Sequence, residues 1–204
     1  MTPNQVHTDV IKKGELKPGM SISTGQYECR VRGRLPHTKG KEDPLKMYGE
    51  GTLFVDHALG LIRVYNQVSL GESDTLRSKH PFELEGEAAG HTIRHYHGDN
   101  GVYKSKEFKD DLDTRHQVMT YSGVGVYGQN SVAEWTIQTV VNSARTMMLH
   151  QALLWPEYFD MRLWPFAIVH APHIWNLLPY DLLPDNLTPM EVWTYEAECL
   201  PTTN

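Results

Sequence analysis

Between residues 131 and 150, apolar side chains recur every three or four positions: Ala133, Ile137, Val140, Val141, Ala144, Met147 and Met148. At ~100° per residue this spacing gathers them into one stripe, the signature of a helix laid against a core. Such a helix needs a surface to cover, and the preceding residues supply one. Residues 52–56 (TLFVD) and 61–68 (LIRVYNQV) are rich in β-branched and aromatic side chains and are joined by His57-Ala58-Leu59-Gly60, which predicts an antiparallel hairpin. Weak alternation over 20–27 predicts a strand ahead of it, and 92–97 and 117–121 read as two more.

Three further helices are expected. Residues 73–89 are helix-favouring but contain Pro81, which predicts a kink or a restart because proline lacks the backbone donor. Residues 105–113 form a short helix with Phe108 and Leu112 on one face, and 162–178 an apolar helix interrupted by Pro172. The stretch RVRGRLPHTKGKEDP, rich in Gly, Pro and charge, reads as a loop. Three strands, helix, strand, helix, strand, helix, helix is the order of an α/β chain. It predicts a mixed five-stranded sheet with helices on both faces.

Bulk properties exclude several classes. With 40% apolar and 22% charged residues the chain is neither disordered nor membrane-spanning in composition. No window approaches the ~18 continuous apolar residues a spanning helix needs. Two cysteines, Cys29 and Cys199, rule out a disulfide framework or a Cys-rich zinc module, and imply a reducing, intracellular setting. A net charge of −6 argues against DNA affinity from bulk charge. A local basic strip (Arg30, Arg32, Arg34, Lys39, Lys41) is compatible with either a solvated loop or a phosphate contact.

Two acids stand where elements meet. Asp99 follows a strand in HYHGDNG, and Glu134 falls in the first turn of the striped helix, on the flank of its apolar face. Carboxylates delivered from different elements are a common way to hold a hard divalent cation beside a phosphate. Each has a plainer reading. Asp99-Asn100-Gly101 suits a turn, and Ser131 to Glu134 matches a capping box. His91, His95 and His97 lack a further ligand cluster and read as surface or packing residues.

Several segments occur together in a fixed order: Arg32-Gly33-Arg34-Leu35-Pro36, TLFVDHALG (52–60), YHGDNGVYKSKEF (96–108), YSGVGVYGQNSVAEWTIQTV (121–140), ARTMMLH (144–150), LWPFA (163–167) and LTPMEVW (187–193). This series resembles the integrase catalytic core of copia-type retrotransposons, a branch of the RNase H-like superfamily. The resemblance runs over roughly residues 18 to 195. It implies an RNase H-like fold and metal-dependent cleavage and strand transfer during DNA integration. Asp99 and Glu134 match the second and third carboxylates that bind two Mg²⁺ (or Mn²⁺) ions. Gln129, Asn130 and Ser131 match the family's loop that contacts DNA ends, and Lys104 and Lys106, beside Asp99, suit either phosphate contacts or an ordinary helix surface.

The first carboxylate does not match. Where the family reads like V-S-x-D-Q-Y, this chain reads Ile22-Ser23-Thr24-Gly25-Gln26-Tyr27. Glycine offers no ligand, and losing a shared metal ligand is expected to lower the rate by ~10³ or more. Asp56 and Asp9 are the acids that could substitute. The resemblance thus implies an impaired integrase core, with a non-catalytic nucleic-acid-binding remnant or an RNase H-like nuclease as alternatives. It further implies a linker over 1–18 without the family's zinc module, a core over 19–180 and a truncated tail over 181–204. Expected partners are element ends and target DNA and further copies of the chain, with no membrane, and a functional copy would act in the nucleus.

Overall fold

The computed structural model describes residues 16–35, 41, 43–122 and 130–194. Five strands form one sheet: β1 (Ile22–Gly33), β2 (Tyr48–Asp56), β3 (Ile62–Gln67), β4 (His95–Gly98) and β5 (Val118–Tyr121). Their spatial order is β3-β2-β1-β4-β5. The first three pair antiparallel, and β4 and β5 join β1 in parallel, so the mixed sheet expected from the element order is present.

Helices α1 (Glu72–Ala88), α2 (Lys106–Thr114) and α5 (Pro189–Thr194) cover one face. There Phe54 of β2 stacks on Phe82 of α1 at 4.8 Å, and Phe82 on Trp193 of α5 at 6.1 Å. Helices α3 (Ser131–Leu154) and α4 (Trp164–Asn176) cover the other, where Val140, Ala144, Ile168 and Ala171 pack on Tyr27, Leu53, Val55 and Val64. The striped helix is therefore α3, and Ala133, Val140 and Ala144 of its stripe are buried.

Three local expectations are corrected. β1 continues through Gly33, so Arg30 and Arg32 project from a strand and not from a loop. Pro81 lies inside an uninterrupted α1 on its exposed side, where water can satisfy the carbonyl that proline leaves free. Pro172 likewise sits inside a continuous α4, whose C-terminal end is anchored by Trp175 Nε1 donating to the Gly60 carbonyl at 3.2 Å. Packing also extends beyond residue 180, because Val192 and Trp193 belong to the first core.

A buried ionic cluster joins α1, α2 and β4. Lys79 is 0% exposed, with its ammonium 2.7 Å from Glu83 and 2.6 Å from Asp111. Tyr96 donates its hydroxyl to Glu83 at 2.8 Å, and Arg115 approaches the same carboxylate at 3.1 Å. Burying such charges is costly unless each is matched, and here each has a partner of opposite sign.

Candidate metal and nucleic-acid site

The site is built where β1 and β4 run parallel. Ile22 lies beside Tyr96 and Ser23 beside His97. Counting on two residues from that register brings Gly25 level with Asp99, beyond the last pair of the ladder and just past the end of β4. Thr24 and Gly98 face the α1 side: Thr24 Oγ1 is 2.9 Å from the Tyr103 hydroxyl, and a Cβ on Gly98 would meet Thr24 Cγ2 at 3.1 Å. Strand alternation then turns Gly25 toward α3. A Cβ on Gly25 would stand 2.9 Å from Ile137 Cδ1 and 3.3 Å from Ala133 Cβ, one turn apart on α3. Glu134 follows Ala133 and is exposed on the flank of that contact. β1 and the first turns of α3 thus meet at Gly25, with Glu134 next to Ala133 in that contact and Asp99 one residue past the end of β4.

Asn130 fixes this approach. It is 6% exposed and donates from Nδ2 to the Thr24 carbonyl at 3.0 Å, tying the start of α3 to the strand residue before Gly25. Its Oδ1 is buried without a hydrogen-bond partner among the described residues. Asn130 is also the residue capping α3, with no side-chain cap bond, so the capping box expected from Ser131 to Glu134 does not form. The Glu134 carboxylate makes no hydrogen bond or ion pair with the described residues, whereas Asp99 Oδ1 accepts from the Gly101 N–H at 3.0 Å in a tight turn.

The substitutes for a missing acid divide. Asp56 is 0% exposed and accepts backbone N–H bonds from Gly19 (2.7 Å), Ala58 (2.8 Å) and Leu59 (2.9 Å), so it is the lock of the β2–β3 turn. Burial pushes its carboxyl above the ordinary value, against the pull of those N–H bonds and of His91. Asp9 and Gln129 lie outside the described residues. Among the described residues, no three His, Cys, Asp or Glu side chains are placed to hold a metal ion. Two carboxylates and a glycine at the remaining position do not fit a two-metal centre.

Of the other expected residues, Lys104, Lys106 and Ser131 are exposed, and Lys104 Nζ lies 5.2 Å from the centre of the Tyr121 ring. His95 and His97 both reach Thr120 Oγ1 at 2.9 Å, and His91 meets the Trp193 carbonyl at 3.0 Å. Burial, and then the nearby His97, lower the His95 imidazole below its usual range. Sequence reasoning did not anticipate the Asn130 clamp or the 2.7 Å contact of Ser23 Oγ with His57 Nε2, which ties β1 to the turn after β2. A polar residue at a buried strand position, as Ser23 is, was the available signal.

No protein-family model and no curated protein matches the sequence. Solved structures do match. The HTLV-2 integrase catalytic core domain in complex with magnesium, in a dimeric form and in a trimeric form, aligns in each case with a TM-score of 0.60 at 16% identity. Each alignment covers 87% of this chain and 97% of the viral chain. A simian T-cell lymphotropic virus intasome in complex with PP2A regulatory subunit B56 gamma aligns with a TM-score of 0.62 at 16% identity, over 92% of this chain and 60% of the other. At such identity the likeness is one of fold: this chain has the RNase H-like fold of integrase catalytic cores.

Proposed function

We propose that this chain is the core of a copia-type retrotransposon integrase that keeps the scaffold for holding DNA and has lost most of the chemistry. The observation that carries this reading is Gly25: the β1 position that matches the family's first carboxylate has no ligand side chain and lies against Ile137 and Ala133 of α3. In intact relatives, two Mg²⁺ or Mn²⁺ ions supply activation of a water or a DNA 3′-hydroxyl for attack on a phosphodiester. Asp99 and Glu134 would be this chain's contribution to such a centre.

What remains is positioning. Lys104 and Lys106 follow Asp99 on the exposed side of the site and can pair with phosphates of an element end or of target DNA. Ser131 is exposed at the start of α3, while Asn130 holds that start in place. Gln129 would extend the same DNA-facing segment. The working unit in this proposal is the core from residue 19 through α5, whose Val192 and Trp193 pack into it, with a flank over 1–18. It acts as a homo-oligomer, in keeping with the dimeric and trimeric forms of the HTLV-2 core, and in the nucleus.

The missing first carboxylate favours a DNA-binding remnant as the second reading, ahead of a nuclease, since a nuclease of this fold needs the same acids. Labelled element-end DNA incubated with the protein and Mn²⁺ separates the readings. Retention of DNA with strand transfer at least ~10³-fold below an intact core supports the proposal. Efficient cleavage without joining would establish a nuclease, and no retention of DNA would overturn both.

A further inference from the structure

β3 is an edge strand, and its outer side is open only in the middle. The Ile62 N–H donates to Asn176 Oδ1 at 2.9 Å and the Ile62 carbonyl accepts from Asn176 Nδ2 at 2.8 Å, so Ile62 turns its backbone away from β2. Alternation along an antiparallel ladder gives Val64, Asn66 and Val68 the same outward direction. Arg32 donates to the Val68 carbonyl at 3.0 Å. Both ends of the edge are thus capped by side chains. Between them, the N–H and C=O groups of Val64 and Asn66 have no hydrogen-bond partner among the described residues.

These groups lie on the floor of a groove of about 930 Å³ between α1 and α4. The two walls differ. Arg77 lines the α1 wall and Lys46 the end of the groove, both exposed; the acid of that wall, Asp74, already accepts from Arg77 at 3.3 Å and from the Ser69 hydroxyl at 2.7 Å. The α4 wall presents Phe166 and Val169, each 46% exposed, and beside them the exposed His170 and His173. The Asn66 side chain is committed to the Tyr27 hydroxyl at 2.7 Å and the Pro165 carbonyl at 3.2 Å, so it does not close the groove.

We propose that this groove receives an extended, acidic peptide segment of a partner protein, which adds to β3 as a sixth strand. A row of unpaired strand groups is matched by another extended backbone, and alternate side chains of that backbone point to opposite walls. Carboxylates on one side would meet Arg77 and Lys46, and apolar side chains on the other would meet Phe166 and Val169. The recognised pattern is therefore alternating acidic and apolar residues. This inference is independent of any metal chemistry at Asp99 and Glu134.

The test uses the full chain and a fluorescein-labelled hexapeptide of alternating Val and Glu. Two controls accompany it: the Val/Lys counterpart, and the Val/Glu peptide N-methylated on alternate amides so that one edge cannot pair. Polarisation titrations should show saturable Val/Glu binding, weakened at least tenfold by N-methylation and by the surface variants Arg77→Glu and Lys46→Glu. Amide resonances of Val64 and Asn66 should shift on titration. Equal binding of the Val/Lys peptide, indifference to N-methylation, or unmoved Val64 and Asn66 amides would overturn the proposal. Sedimentation showing that a second copy occupies this edge and excludes the peptide would overturn it as well.

Discussion

The methyl end of Ile137 lies 2.9 Å from where a side chain on Gly25 would begin. Helix α3 therefore sits on β1 at a distance that suits glycine, with Ala133 at 3.3 Å making the second contact. The first-carboxylate position therefore lacks a ligand and touches the flexible end of Ile137. A side chain introduced at Gly25 needs only that half-buried methyl end to swing aside, while Ala133 limits the room on the other side.

The Asn130 clamp gives a stability prediction. Asn130→Ala removes the bond to the Thr24 carbonyl and leaves that acceptor without its donor. The expected loss is about 1–3 kcal/mol, the cost of an unsatisfied buried group. Urea unfolding followed by tryptophan fluorescence would measure it, and a change within error would show that other contacts hold α3 to β1.

Asp111 sets the acid limit of the buried ionic cluster. Burial alone would push its carboxyl up, but hydrogen bonds and charge from Lys79 and His80 outweigh this and hold it below the ordinary carboxylate range. Its contribution is therefore present above the unfolded carboxyl pKa, ~3.9, and is lost as pH falls through the lower folded value. Denaturation midpoints of the wild type and of Asp111→Asn should differ at neutral pH and converge in strong acid. A gap independent of pH would show that Asp111 acts by shape and not by charge.

Trp193 tests whether the chain beyond residue 180 is part of the folded unit. It is 2% exposed, and stacks 6.1 Å from Phe82. Trp193→Ala should cost about 3–5 kcal/mol, in the range for a buried aromatic. Ending the chain at residue 180 should lower the thermal midpoint at least as much. A truncated chain of unchanged midpoint would place the folding boundary before α5.

Much of this architecture could be read from residue pattern, for definite reasons. The 52–56 and 61–68 pair carries its own turn and β-branched cores, so local sequence suffices to place β2 and β3. The stripe of α3 is long enough for periodicity to be unambiguous. Tertiary contacts decided the rest. The second half of β1 looks like a loop in composition, yet Gly33 pairs with Tyr48 and Arg32 reaches the Val68 carbonyl. Pro81 and Pro172 mark breaks in isolated helices, but packing on the sheet carries both helices through them.

The site was legible only in part. Asp99 and Glu134 were placed at element ends by spacing, and the structure has Asp99 just past β4 and Glu134 exposed in the first turn of α3. The role of Asn130 was hidden, because its partner is a backbone carbonyl 106 residues away and no local pattern encodes that bond. Ser131 was a better cap than Asn130 on pattern alone, since Glu134 stands three residues after it.

Mn²⁺ binding is the most direct test of the central claim that glycine leaves the first ligand position without a carboxylate. Isothermal titration and Mn²⁺ spin resonance should be run on the wild type, Gly25→Asp, and Gly25→Asp combined with Ile137→Ala. The reading predicts weak binding by the wild type and at least a tenfold gain in affinity for Gly25→Asp, with or without Ile137→Ala, abolished by adding Asp99→Asn. Tight Mn²⁺ binding by the wild type that depends on Asp99 and Glu134 would contradict it.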